Sequence, residues 1–262
     1  MRRRCPIPHT AAIARAVESV AKGSSFDLDM PFSVRIWRVP AAVEAEIFYG
    51  MNQEGDKADA TRSKFLMQRN SGQRIARELV RRNTHLTEAN VETVSNTLSS
   101  KNPRLTAFNT LSVACEQTFG DVIDGEIDAV VDYLVAFWDA LVDVRSELDL
   151  QPRPRRKEIR KTLLSGSALA IHGYIGLARR MRDDELDLAH LRALAGPDAD
   201  RFLALVNPHW QELGIVVPGT NKRGDRTLGV RNAIQTRRAM ADALVARVVT
   251  DADHHAASSV AA

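Results

Sequence analysis

Three segments of the chain are rich in arginine and lysine and could bind phosphate groups. Residues 61–82 contain seven basic residues and one acid, residues 152–161 contain six and one, and residues 222–238 contain six and one. Guanidinium and ammonium groups neutralise phosphates and release their counterions, so the affinity for a nucleic acid follows this charge. The candidate residues for nucleic-acid binding are Arg62, Lys64, Arg74, Arg77, Arg81, Arg82, Arg153, Arg155, Arg156, Arg223, Arg226 and Arg231. No helix has the pattern of a base-reading element, so sequence-specific recognition is not predicted.

A fourth segment carries the opposite charge. Residues 121–151 contain nine acids and one arginine. Such segregation predicts a polyanion-facing surface and a separate acidic surface. The alternative interpretation is that these are solvated faces that also pair with each other.

Residue types that could support catalysis or metal binding do occur, but they lack the spacing that such sites require. Cys5 and Cys115 are far apart, and His254 and His255 lie in the predicted tail. His209 lies in a predicted loop and is not interpreted as a metal ligand. No nucleophile elbow, phosphate-binding loop or dinucleotide-binding glycine motif occurs. His172 lies in an apolar helical pattern and is predicted to be a core or helix-face histidine. The acidic residues 183–185 are interpreted as a helix start. We therefore predict no catalytic residue, metal or cofactor, and not an enzyme.

Composition indicates a globular protein of 262 residues, with 44% hydrophobic and 26% charged residues. Two cysteines suit a reducing compartment. No apolar segment follows the basic start, and no run approaches the roughly 18 residues of a membrane helix. The expectation is a soluble, cytoplasmic protein that does not bind membranes.

Two helices position most of the charge. The basic segment predicts a helix over residues 60–82, with a break near residues 70–72 because Gly72 lowers helix propensity. The acidic segment predicts an amphipathic helix over residues 125–146. Its apolar positions repeat at helical spacing and form a packing seam of Ile127, Val131, Leu134, Trp138 and Leu141.

The remaining pattern is mainly helical. Helices are predicted over residues 87–98 and 232–249, the second with Ile234, Ala241, Leu244 and Val248 inward. Residues 151–154 predict a linker because two prolines interrupt a helix there. Residues 207–226 predict a loop, and one strand is predicted near residues 32–37. Because one strand cannot form a sheet, either other strands escape the pattern or the sheet has lost partners.

Six short motifs lie at residues 47–52, 73–79, 96–101, 105–111, 207–211 and 229–232. Together they resemble the DndB family, over about residues 9–248. Members of this family accompany the machinery that replaces a DNA backbone oxygen with sulfur.

The resemblance implies an N-terminal ParB-like domain with an Asp-Gly-x-His-Arg signature. The corresponding place here is residues 6–10, where only His9 matches, and Asn52 is a second motif remnant. The expected organisation is mainly α with an α+β remnant. Residues 1–58 are an apparently truncated ParB-like piece, residues 59–150 a helical domain, residues 151–249 a C-terminal helical region and residues 250–262 a disordered tail.

The resemblance also implies a function. It indicates an accessory or transcriptional regulatory protein of a DNA phosphorothioation and phage-defence system. DNA is the expected partner, with other proteins of the system and a second copy of the chain as further possibilities. One alternative is a non-catalytic assembly subunit that docks through the acidic helix at residues 121–151. The other is a nucleotide-binding ParB-like protein.

Overall fold

The computed structural model describes residues 60–99, 102–220 and 224–260, together with Pro40 and Val43. These residues, which with the exception of Pro40 belong to the unit 41–262, are mainly α-helical with two small sheets, which confirms the predicted fold class. The helices are α1 Ala60–Met67, α2 Ser71–Arg82, α3 Phe108–Phe119, α4 Ile127–Val144, α5 Arg153–Thr162, α6 Ala168–Asp183, α7 Gly196–Leu203, α8 Pro208–Glu212 and α9 Ile234–Val260. The strands are β1 Val91–Glu92, parallel to β2 Thr106–Ala107, and β3 Val216–Thr220, antiparallel to β4 Arg226–Val230.

The basic segment folds as two helices, and the predicted break is confirmed. Gln68 adopts a left-handed φ of 46°, and the Asn70 side chain caps α2 by accepting a hydrogen bond from the Gln73 N–H at 2.9 Å. Gly72 lies in the first turn of α2, where a Cβ would be 2.3 Å from the Cα of Glu116 on α3. The glycine therefore serves a close approach of two helices rather than simply weakening one.

Helix α4 runs through the hydrophobic core, and its predicted seam is confirmed. All five seam residues are buried. The Trp138 ring meets the Tyr174 ring of α6 edge-on at 6.3 Å. Buried side chains of α1 to α3 and of α6 to α9 join this core, so the seam packs the acidic helix against these helices.

Helices α6 and α9 pack closely because glycines face the contact. A Cβ on Gly173 would be 2.6 Å from the Met240 Cγ, and one on Gly176 would be 2.7 Å from the Ala241 Cβ. The prediction that apolar residues of α9 face inward is correct for Leu244 and Val248, which are fully buried. It is wrong for Ile234, which is 56% exposed at the start of the helix.

The helix predicted over residues 87–98 is wrong. This segment forms turns and the strand β1, whose Val91 pairs with Thr106 of β2. Asn90 is buried, and its side-chain amide donates to the carbonyls of His85 and Leu148, each at 3.0 Å. These long-range contacts outweigh the local helical pattern.

The loop predicted over residues 207–226 is also wrong, because it contains α8 and β3, and the first residue of β4. The hairpin has the register Val216↔Val230 to Thr220↔Arg226. The short apolar run at residues 215–217 is therefore the buried start of a strand. Strands did escape the sequence pattern.

Three boundaries differ from the predictions. Residues 151–154 are not an irregular linker, because α5 begins at Arg153 with Pro154 in its first turn, where a proline is tolerated. Residues 183–185 end a helix instead of starting one: Arg179 and Arg180 pair with Asp183 and Asp184 at i,i+4 spacing. The backbone of α9 continues to Val260, beyond the predicted tail boundary at residue 250.

The N-terminal predictions lie outside the described residues. They concern residues 1–58, including the strand near residues 32–37 and the ParB-like piece. They and the domain boundaries stay predictions.

Candidate nucleic-acid interface

Two of the four arginines of α2 pair with acids that lie in α4 or just before it. Arg74 contacts Asp124 at 2.5 Å, and Arg82 contacts both Asp128 and, at 3.1 Å, Asp132. Donation to Asp128 raises the pKa of Arg82 above its ordinary value. The predicted separation of basic and acidic surfaces is therefore wrong for these two helices, and the alternative, in which the faces pair, holds.

The other cations of α2 also have partners. Arg81 contacts Glu78 at 2.7 Å, and this hydrogen bond lowers the pKa of the Glu78 carboxyl. The guanidinium carbon of Arg77 lies 5.4 Å from the centre of the Phe65 ring. The Arg81–Glu78 pair attracts phosphate less strongly, because the carboxylate partly neutralises its field. The Phe65 ring carries no net charge and leaves the charge of Arg77 in place.

Helix α1 offers two cations. Arg62 is exposed and Lys64 is half-buried. Neither forms an ion pair with another described residue. They remain candidates for phosphate contact.

Helix α5 divides its basic residues between the interior and the surface. Pro152 precedes it without a side-chain cap, and Pro154 fixes its first turn. Arg156 and Ile159 are buried on one side. Of the remaining cations, Arg160 is half-buried and the other four are exposed.

Arg156 is an interior residue, so its predicted role in nucleic-acid binding is wrong. It is fully buried. Its guanidinium donates to the carbonyls of Pro103 at 3.1 Å, Glu147 at 2.7 Å and Asp149 at 2.5 Å. Burial lowers its pKa to about 10, which leaves it charged at neutral pH. Three loop carbonyls thus converge on one cation.

Arg160 has a similar structural role. It is half-buried and donates to the carbonyls of Asn102 at 2.8 Å and Arg104 at 2.5 Å. Burial lowers its pKa. Two of the six cations in this segment therefore hold neighbouring loops.

The other four cations of α5 are exposed and form no ion pair with the described residues. Arg153, Lys157 and Lys161 follow each other at four-residue spacing and so share a face, while Arg155 lies on another side of the first turn. Arg153 and Arg155 lie at the positive end of the helix dipole, where a cation is unfavourable. An anion bound here would offset that repulsion.

Comparison with known families decides the identity. Residues 11–247 match the family model DndB, described as DNA-sulfur modification-associated. The chain belongs to the DndB family. No curated protein and no solved structure matches it.

Helix α5 of this DndB-family protein carries two exposed cations that the candidate residues omit. They are Lys157 and Lys161, which continue the Arg153 face of α5. The signal was present in the sequence as four-residue spacing, but the proline-based linker prediction placed Arg153 outside any helix. Recognising Pro154 as a first-turn residue would have joined the three cations.

The hairpin region places two predicted residues at the surface. Arg226 at the start of β4 and Arg231 just after it are exposed. Arg223 lies outside the described residues, as do the motif residues His9 and Asn52. The structure therefore brings exposed cations to α1, α5 and the ends of β4, and it neutralises much of α2.

Three further chemical features concern the same part of the DndB-family chain. Its described residues include no group of three or more histidines, cysteines or acids that could hold a metal ion. Burial raises the pKa of the Cys115 thiol to about 12, so this cysteine is not a reactive thiolate. None of the described helices is both long and apolar enough to cross a bilayer.

Proposed function

We propose that this protein is a DNA-associated accessory or transcriptional regulatory protein of a phosphorothioation system that also serves in phage defence. It binds the DNA backbone through basic helices, and α5 is the principal contact. The role is non-catalytic and cytoplasmic. Family membership supports the association with DNA sulfur modification.

The observation that carries the proposal is the set of exposed, unpaired cations on α5. The segment 61–82, which contains α2, has a similar charge in sequence, but acids in α4 and just before it pair with two arginines of α2. The cations of α5 are accompanied on their own helix by one exposed acid, Glu158. Their field therefore extends into solvent, where a DNA phosphate can enter it.

The test compares two variants that each lose four positive charges. One variant replaces the four exposed cations of α5 with glutamine, and the other replaces four cations of α2. The sets are Arg153, Arg155, Lys157 and Lys161 against Arg74, Arg77, Arg81 and Arg82. Binding to a fluorescent duplex is measured by anisotropy across a salt series, with plain and phosphorothioated DNA.

We expect the α5 variant to reduce the slope of log affinity against log salt by up to about 3–4, since each lost phosphate contact contributes about 0.9. The α2 variant should change the slope less. A smaller effect for α5 than for α2 would show that α5 is the wrong surface. A gap between the two duplexes would connect binding to the sulfur modification.

The acidic surface supports a second candidate, a subunit that docks a basic protein. The carboxylates of Asp124, Asp128 and Asp132 stay 73–79% exposed although they pair with arginines. They can therefore accept further donors. Pull-down from a host with a modification cluster tests this, and loss of every partner after nuclease treatment would contradict it.

A further inference from the structure

A cluster of aromatic rings and one arginine lies where α7, α8 and α9 meet. The rings of Phe202 and Trp210 are 4.7 Å apart, and His209 lies 6.1 Å from Phe202. The Phe202 carbonyl accepts hydrogen bonds from Asn207, at 2.9 Å, and from the Trp210 indole. Asn207 in turn caps α8 by accepting from the His209 N–H at 3.1 Å. These bonds fix the positions of the rings.

Arg247 of α9 is held against this cluster. Its guanidinium carbon lies 5.1 Å from the centre of the Phe202 ring, and its Nε donates to the Ala193 carbonyl at 2.9 Å. Its two terminal amino groups have no hydrogen-bond partner among the described residues. A half-buried guanidinium is thus oriented with two donors available.

These residues line two open clefts. The first has a volume of about 730 Å³ and a wall of small side chains, including Ala243 and Ala246. The second, of about 630 Å³, shares Phe202 and Arg247 with the first. Both volumes lie within the range of small-molecule sites, which combine apolar walls with a few polar groups.

The charges around the first cleft are of both signs. Arg247 and His209 lie on one part of its lining, and the exposed Asp242 precedes Arg247 on α9 by five residues, a rise of about 7.5 Å. In the second cleft, Arg201 is paired with Asp198. Arg247 is thus the cation available to an anionic ligand, while Asp242 can accept from a hydrogen-bond donor.

We propose that the first cleft binds a nucleotide with an amino-bearing base. Its phosphate is held by the terminal amino groups of Arg247, which match phosphate oxygens in a two-point contact. Its flat base lies along the alanine wall beside His209, and its amino group donates to Asp242. The proposal does not depend on duplex binding by α5.

Calorimetric titration of the full chain with dAMP tests the site. We expect saturable binding that Arg247→Ala weakens at least about tenfold, because the variant removes hydrogen bonds to a charged group. Arg238→Ala is the matched control: it removes the same charge from an exposed position on the same helix, outside the cleft, and should leave affinity within about twofold. Ala246→Trp fills the cleft from an exposed position and should abolish binding while circular dichroism stays unchanged.

Further ligands distinguish the source of the nucleotide. A single-stranded oligonucleotide that binds in an Arg247-dependent manner, where dAMP does not, would assign the site to an unpaired nucleotide of DNA. The neutralised α5 variant should keep either form of binding, which separates this proposal from the function proposed above. Absence of binding by both dAMP and the oligonucleotide, or equal losses in the Arg247 and Arg238 variants, would overturn it.

Discussion

Acid should destabilise this protein through His172. The residue lies on α6, is 6% exposed, and faces the positive charge of Arg237 from α9. Burial and this like charge lower its pKa from 6.5 to about 4. No acid contributes to the shift, so the folded protein holds the imidazole neutral.

The size and sign of the effect follow from linkage. Between about pH 6.5 and 4 the unfolded chain binds a proton that the folded chain does not, so stability falls as the pH falls through this window. At pH 5 the pKa values of 6.5 and about 4 correspond to a loss of about 2 kcal/mol from this residue. The figure is a large fraction of the stability of a typical domain.

Urea denaturation of the wild type and of His172→Gln measures this contribution. The variant lacks the titrating group, so its free energy of unfolding should fall by about 2 kcal/mol less than that of the wild type between about pH 7.5 and pH 5. Ile175→Val is the control: it lowers the stability of the same helix at a buried position without removing a titrating group, and its curve should run parallel to that of the wild type. Parallel curves for wild type and His172→Gln would refute the reasoning.

Three further substitutions test the packing described above, each by urea denaturation at neutral pH. Gly72→Ala should lower the free energy of unfolding by about 1–3 kcal/mol, because its Cβ would meet Glu116 backbone atoms; a gain in stability would contradict the close approach. Arg156→Ala should cost about 3 kcal/mol by leaving loop carbonyls without donors, whereas the adjacent exposed Arg155→Ala should stay within about 0.5 kcal/mol, and equal effects would contradict the interior role. Asn70→Ala should cost about 1 kcal/mol by removing the cap of α2, and no change would show that the cap is dispensable.

Local sequence patterns correctly predicted those elements that depend on the apolar spacing and the helix ends of a single segment. The α4 seam followed from its repeat because a helix with such a stripe has one way to bury it. The break between α1 and α2 was predicted from the low helix propensity of Gly72, and the structure places it next to that glycine, where Asn70 caps α2. His172 was expected in the core because its neighbours on α6 are apolar. In each case the residues that form the predictive pattern lie only a few positions apart in the sequence.

Residues 87–98 and the β3–β4 hairpin could not be predicted in the same way. The first segment has a helical pattern, but Asn90 bonds to Leu148 and Val91 pairs with Thr106, and these partners are distant in sequence. The hairpin strands are short and contain a proline and two glycines, so they lack the alternation that marks a half-buried strand.

The charged residues show most clearly which properties the sequence determines and which ones depend on the tertiary structure. The sequence by itself determined that basic and acidic segments exist, that their composition suits a phosphate-binding protein, and that the motifs resemble the DndB family. Only the tertiary structure decided which cations are available: it pairs α2 with α4, buries Arg156 beneath three carbonyls, and leaves the outer faces of α5 open. The physical reason is that a side chain's charge is set by its type, whereas its field in solvent depends on burial and on partners that folding brings from distant segments.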